Sequence, residues 1–457
     1  MMPRRAARGI GPAGVAVLLA AVLIPSPGVR AQVARPITLA EVLTLAAQHS
    51  PALRAAAFEV TVARTQLAQA EALRSGTLVL TGSYTRINDR EGGAIVIPGG
   101  TVPGVSTPIT IPLPPPTPDL YTTALTFQYP LHTGGRIEAQ VALARANLQG
   151  AEAALERAKQ QLILDARQAY YQVLLAQAGV EGAQRTLAAA EENLRVARAR
   201  VAAGTSPRFD EVQAEVNVAS ARQGLIRARN ALALAQHALA ALVGQPMDAP
   251  LQPGERMTFA AVRTDLAVLL RRALDARPEL AEHRARIAAA TAAIEVARAG
   301  ARPALVLSGG PTWGNATSAG LGSSAAVLGW SLTLAATVPL FDGGLTAQRI
   351  REAEARVAQL QAAEVQLRQG IELDVRRALL TLAAAMEELA AADVGVQQGQ
   401  EGLRIANVRF AAGVSTNLEV ITAQAALSQA EASRIQALFN VNMARAQLER
   451  AVGGPVE

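Results

Sequence analysis

The spacing of apolar and polar residues switches between two periods along this chain. Over most of its length apolar positions recur every three to four residues among Ala, Leu, Arg, Gln and Glu, the spacing of amphipathic helices built from strong helix formers. The pattern predicts helices over about 38–74, 134–203, 207–243, 264–300, 343–412 and 416–452. The first opens with "TLAE", Thr38 to Glu41, a capping box. At 1.5 Å per residue the two longest span roughly 105 Å and the shorter ones roughly 55 Å. Two short helices stacked end to end thus match one long helix. The lengths predict a tall cylinder whose wall mixes continuous and stacked helices.

Four segments, 76–87, 121–129, 303–314 and 330–340, alternate instead with period two. In "YTTALTFQY" one face is Tyr121, Thr123, Leu125, Phe127 and Tyr129, and the other is Thr122, Ala124, Thr126 and Gln128. Of the 14 aromatic residues (Trp 2, Tyr 5, Phe 7), seven lie in these segments or directly after one: Tyr84, Tyr121, Phe127, Tyr129, Trp313 and Trp330 within them, and Phe341 one position past the last. Uncharged amphipathic strands with aromatics near their ends have the form of transmembrane β-barrel strands. A soluble β-domain with its apolar face turned inward gives the same alternation. In lipid, four strands cannot close a barrel, because an open edge leaves backbone groups unpaired. Two chains would supply eight strands and three would supply twelve. Segments 91–119, rich in Pro and Gly, and 315–326 are then loops at the barrel mouth.

The chain reads as a duplication. "YPLHTGGRIEAQ" (129–140) returns as "VPLFDGGLTAQR" (338–349), and "VAAGTSPRFDEVQAE" (201–215) as "FAAGVSTNLEVITAQ" (410–424), both shifted by 209 positions. The earlier pair Pro51 and Pro278 is shifted by 227, so the first half holds 18 extra residues (227 less 209), which the loop at 91–119 absorbs. The expected division is a signal peptide over 1–31, a first repeat over 32–245 with a β-hairpin at 76–131, and a second over 246–457 with a β-hairpin at 303–341. Pro130 and Pro339 are expected to end their strands. The paired glycines after them are expected to turn sheet into helix.

Charge changes the picture little. Arg4, Arg5 and Arg8 precede an apolar run over 13–24, and "VRA" precedes Gln32, the layout of a cleaved secretion signal. Removing Arg4, Arg5, Arg8 and Arg30 reduces the formal +6 to +2. No basic block with interleaved aromatics occurs, so nucleic acid is not an expected partner. The chain has no cysteine, which excludes disulfides, cysteine-based metal sites and a lipid anchor on an N-terminal cysteine. His49, His132, His237 and His283 are scattered without metal-ligand spacing, and no hydrolase, P-loop or HExxH motif occurs. No catalytic residue, cofactor or metal is expected.

The order and duplication of these motifs resemble the TolC family of outer-membrane efflux proteins, over essentially the whole mature chain. The resemblance rests on "ITLAEVLTLAAQHSPAL", the two junctions and the two "AAG[TV]S" turns. It implies a mainly α protein with a small transmembrane β part. A trimer would share a 12-stranded β-barrel, four strands per chain, above a long periplasmic α-helical barrel. It further implies outer-membrane lipid around the barrel, a periplasmic adaptor (membrane fusion) protein and an inner-membrane transporter as partners, and export without any reaction. A secreted helical scaffold or adhesin without a pore is the competing reading; it has no use for uncharged strands bearing both tryptophans.

Residue by residue, the resemblance sets expectations at the helix ends. Gly204 and Gly413 end the long helices, with Arg200 and Arg409 four residues earlier, where a cation suits a helix C-terminus. Ser206 and Thr416 are expected to cap the returning helices. These six residues form the expected adaptor-docking tips. Asp210 and Glu419 match positions of the closed periplasmic entrance. The best-known member of the family carries a latching tyrosine and arginine where this chain has Phe410 and Ser415, so the latch here must differ or be weaker. Tyr84, Tyr121, Tyr129, Trp313, Trp330 and Phe341 are the expected membrane-interface aromatics.

Overall fold

The computed structural model describes residues 36–456 apart from 89–93, 102, 113–117, 247–250, 256, 260–264 and 317–321. The signal peptide over 1–31 and parts of both mouth loops lie outside the described residues. The first repeat runs β1 (Pro36–Ile37), α1 (Leu39–His49), α2 (Pro51–Ala72), β2 (Thr77–Arg86), β3 (Ala94–Ile97), β4 (Ile109–Pro112), β5 (Asp119–His132), α3 (Arg136–Ala202) and α4 (Arg208–Leu242). The second runs β6 (Gln252–Pro253), α5 (Leu266–Ala276), α6 (Pro278–Ala299), β7 (Ala304–Ala316), β8 (Gly322–Thr337), α7 (Leu345–Ala411) and α8 (Asn417–Val452).

Helices α3 and α7 each have 67 residues, roughly 100 Å at 1.5 Å per residue. They run through the whole helical part. Helices α2 and α4 both lie against α3; α6 and α8 each touch both α3 and α7. Short helices therefore stack beside continuous ones, as their lengths require. Two apolar clusters hold the mid-height of the wall, one of α1, α3 and α4 and the other of α5, α6, α7 and α8. They repeat the duplication in three dimensions. Leu239 and Leu448, and Val243 and Val452, are 209 apart, and all four are completely buried.

Each expected first helix of a repeat is in fact two. Ser50 and Arg277 sit extended, at ψ 120 and 123, before Pro51 and Pro278. The proline ring clashes with a helical preceding residue, and proline itself suits the first helical position. The capping box is present: the Thr38 N–H donates to Glu41 Oε2 at 3.0 Å and the Glu41 N–H to Thr38 Oγ1 at 3.3 Å.

Among the described residues one four-stranded antiparallel sheet forms, in the order β2-β5-β7-β8. Each repeat gives a hairpin, and β5 joins to β7. Pro130 does not end its strand. β5 continues to His132, with a bulge between Pro130 and His132 opposite β7, a place where the missing N–H is tolerated. The segment 91–119 is not all loop, since β3 and β4 pair as a small hairpin within it. Likewise 315–326 is shortened by β7 and β8.

Candidate functional site

The sheet register assigns every strand residue to a face. Tyr84 pairs with Tyr121, Leu80 with Leu125 and Leu78 with Phe127 across β2 and β5. Thr123 pairs with Trp313 and Tyr129 with Leu307 across β5 and β7, and Leu307 with Leu334 and Pro311 with Trp330 across β7 and β8. Because cross-strand partners share a face, these residues form one continuous apolar side. The opposite side carries Thr81, Ala124, Thr126, Gln128, Ser308, Ser331 and Thr333. Five expected interface aromatics thus share one face, and Tyr121 and Trp313 touch at 5.4 Å between ring centres. Phe341 does not belong to a strand. β8 ends at Thr337, and Phe341 stands in the following turn, 91% exposed.

The apolar side has no covering layer from its own chain. Leu80, Tyr84, Leu328 and Trp330 are 65–79% exposed. Each large apolar side chain left in water forgoes about 1.5–3 kcal/mol. A soluble β-domain would bury this side; lipid covers it equally well. The four strands carry no charged residue between Arg86 and Asp119, which pair at 3.5 Å at one end, and the helix junction at the other. The ten residues of β2 reach about 33 Å, or roughly 25 Å in height at barrel tilt, the thickness of an outer-membrane apolar band. Among the described residues no helix is long and apolar enough to cross a membrane.

Glycine makes the sheet-to-helix turn twice with nearly identical geometry. Gly134 and Gly135 have φ of 63 and 87, and Gly343 and Gly344 have 67 and 86. A Cβ on Gly134 would lie 2.6 Å from the Arg302 Cβ, so both conformation and space demand glycine.

At the far end, each long helix closes with paired backbone bonds. The Gly204 N–H donates to the Val201 carbonyl at 3.0 Å and the Thr205 N–H to the Arg200 carbonyl at 2.9 Å. Gly413 and Val414 do the same to Phe410 and Arg409, both at 3.1 Å. These are Schellman closures around left-handed glycines. The returning helices depart from expectation. Pro207, not Ser206, is the N-cap of α4, and Thr416 holds the N-cap position of α8 without a side-chain cap bond.

The structure brings the two tips together through residues 210 positions apart. Arg200 Cζ lies 3.9 Å from the centre of the Phe410 ring, and its Nη2 donates to the Phe410 carbonyl at 3.2 Å. Arg409 and Glu419 face each other at 3.8 Å, both about half exposed. Asp210 is half-buried at the start of α4, and Ser415 is half-buried in the turn. Sequence reasoning missed two features here. Arg198 bonds Glu211 at 3.2 Å and Glu215 at 2.6 Å, bracing α3 to α4; opposite charges on helices joined by a short turn were the available signal. Asn417, 3% exposed, has both carboxamide atoms unbonded, a cost of about 1–3 kcal/mol that no local pattern announces.

The chain matches the family model described as outer membrane efflux protein over residues 42–245 and 269–454. Protein CyaE of Bordetella pertussis is 28% identical over 305 residues, 66% of this chain and 64% of that protein, slightly under two thirds of its length. Outer membrane protein OprJ of Pseudomonas aeruginosa is 28% identical over 72% of this chain and 68% of its own. Among solved structures, the outer membrane protein VceC from Vibrio cholerae superposes with a TM-score of 0.73 at 25% identity, covering 92% of this chain and 97% of that one. The open-state MtrE channel of Neisseria gonorrhoeae shares the fold, with a TM-score of 0.74 at 22% identity over 91% and 89% of the two chains. A family match over most of the chain, on top of an uncovered aromatic sheet, leaves one assignment: this chain belongs to the outer membrane efflux proteins, TolC-type channel proteins of the outer membrane and not enzymes.

Proposed function

We propose that three copies of this chain close one 12-stranded barrel in the outer membrane above one helical duct in the periplasm. Each copy contributes its two repeats, 32–245 and 246–457, as two near-equivalent sectors of the wall. The assembly is the exit of a tripartite export system, fed by a periplasmic adaptor and an inner-membrane transporter. The observation that carries this reading is the sheet: its aromatic side is uncovered and its two edge strands, β2 and β8, have no further partner in the sheet. In lipid such edges must be paired, and a second copy supplies β8 to the free side of β2.

The tips are the proposed periplasmic entrance. Threefold symmetry would gather Asp210 and Glu419 into rings of carboxylates, with Phe410 and Ser415 in the positions of the latch. Arg200, Gly204, Ser206, Arg409, Gly413 and Thr416 form the surface offered to the adaptor. Tyr84, Tyr121, Tyr129, Trp313 and Trp330 meet the lipid interface, with Phe341 just below it.

The native chain has no cysteine, so engineered pairs report without background. Single cysteines along β2 combined with single cysteines along β8 should crosslink between chains, with one register preferred. The crosslinked species should reach roughly 130–140 kDa of protein, the mass of three mature chains closing one barrel. A monodisperse monomer with native β-signal and no crosslink at any register would sink the proposal.

A further inference from the structure

Where the sheet meets the helices a cavity of about 1320 Å³ opens between the starts of α3 and α7 and the end of α6. Four guanidinium groups line it, from Arg136, Arg302, Arg349 and Arg356, against the single carboxylate of Glu352. Two of the four are occupied. Arg302 donates to the Gly134 carbonyl and to Glu295 Oε2, both at 3.1 Å, and Arg356 donates to Gln359 Oε1 at 3.2 Å. Arg136 and Arg349 are exposed and form no ion pair among the described residues.

One of these two arginines, Arg136, stands where helix stability argues against it. Arg136 is the first residue of α3, whereas Arg349 is the fifth residue of α7, beyond its first turn. The backbone dipole makes helix N-termini positive, so cations there are unfavourable. The first turn of α3 carries one acid, Glu138, and at the start of α7 the Asp342 carboxylate accepts from the Gly344 and Thr346 N–H groups at 2.9 and 2.8 Å. A position that breaks a local rule without a structural gain is where function is to be sought, and Arg349 adds a second unpaired guanidinium to the same wall.

The register fixes which side the cavity opens on. Its wall includes Thr337 and Ala304, which are cross-strand partners. Thr337 falls on the same side as Ser331 and Thr333, opposite Trp330, Leu332 and Leu334. The cavity therefore faces away from the lipid side. In a closed barrel that is the inner wall, at the neck between barrel and helical duct.

We propose that this neck is an anion-binding collar, which takes the carboxylate or phosphate groups of exported molecules as they pass from duct to barrel. The proposal rests on the duct reading above, since only a closed barrel makes that side a lumen. Guanidinium groups around a concave wall bind such anions with charge-assisted bonds, and the N-terminus of α3 adds to the same field. The collar lies far from the acidic tips, so a permeating molecule meets opposite fields at the two ends of the helical wall.

Citrate is a suitable probe, small enough for the cavity and carrying three carboxylates. Calorimetric titration of citrate into the trimer, in neutral detergent at low salt, should give binding that weakens as salt rises. The double variant Arg136→Gln/Arg349→Gln should bind at least about tenfold more weakly, the loss of two charge-assisted bonds. The control pair Arg227→Gln/Arg229→Gln, on α4, should bind as the wild type does. Equal citrate affinity in the neck variant and the wild type, or no binding in the wild type, would overturn the collar. So would co-purifying anionic lipid that is lost in the neck variant while citrate does not bind, which would place the arginines against headgroups. Bilayer recordings of the same wild-type sample test the other reading separately. No channels would remove the duct, whereas channels without citrate binding would remove only the collar.

Discussion

Arg200 of the first repeat caps the Phe410 ring of the second at 3.9 Å and bonds its carbonyl at 3.2 Å. One side chain thus makes both a cation–π contact and a hydrogen bond across the two helical hairpins. A part-buried cation–π contact is worth about 1–2 kcal/mol. It joins the two proposed tips of the entrance through one residue from each repeat.

Loosening this contact should open the entrance. Arg200→Ala and Phe410→Ala are each expected to raise the basal single-channel conductance in planar bilayers, and the double variant to add little to either. Arg200→Lys, which loses the flat stacking face, should fall between. Full additivity of the two single changes would show that the residues act independently.

Much of this molecule is legible in its sequence, and the failures have separate causes. Period two assigned Tyr121, Phe127 and Tyr129 to one face because strand faces are a local property. The glycine junctions were legible for the same reason. The Arg200–Phe410 contact was not, because 210 residues separate its partners and only the side-by-side packing of the repeats joins them. The breaks before Pro51 and Pro278 were hidden by strong helix propensity on both sides, which says nothing about one steric clash. Pro130 misled in the other direction, since a bulge absorbed it.

At the entrance, Glu419 should govern ion preference. Its carboxylate lies half exposed, 3.8 Å from Arg409, too loosely paired to be cancelled. Glu419→Gln is expected to lower the cation-to-anion permeability ratio by about twofold or more, as charge is lost from a narrow mouth. Asp210→Asn should do so less. Reversal potentials in a salt gradient measure both, and an unchanged ratio in Glu419→Gln would reduce that residue to a helix-terminus role.

The hairpin of β3 and β4 should be dispensable. It pairs only with itself, over Ala94–Ile97 and Ile109–Pro112. Replacing residues 94–112 with a short Gly-Ser link should leave trimer yield and heat resistance nearly unchanged, because loop closure costs about 0.6 kcal/mol per doubling of length. Loss of barrel assembly would make the hairpin part of the fold.

Tyr170 should make the wall sensitive to alkali. Its side chain is 1% exposed, and burial, with Glu255 and Tyr171 nearby, pushes its hydroxyl up to about 12. A raised value means the folded state favours the neutral phenol. That stability is fully present below pH ~10 and is lost as pH rises toward ~12, up to about 2–3 kcal/mol per chain. Denaturation midpoints across that range should fall steeply in the wild type and less in Tyr170→Phe. Parallel curves would move the effect elsewhere.

Helices α3 and α7 have the same length, 67 residues, and their ends meet. One extra heptad in either would carry its tip about 10 Å beyond the other, and Arg200 would no longer reach Phe410. The protein's height is therefore written twice and can be edited only in both places at once. An evolving lineage can decorate the barrel mouth one copy at a time, as the hairpin in a single repeat attests. To change the height of its helical part, it must change both halves in step.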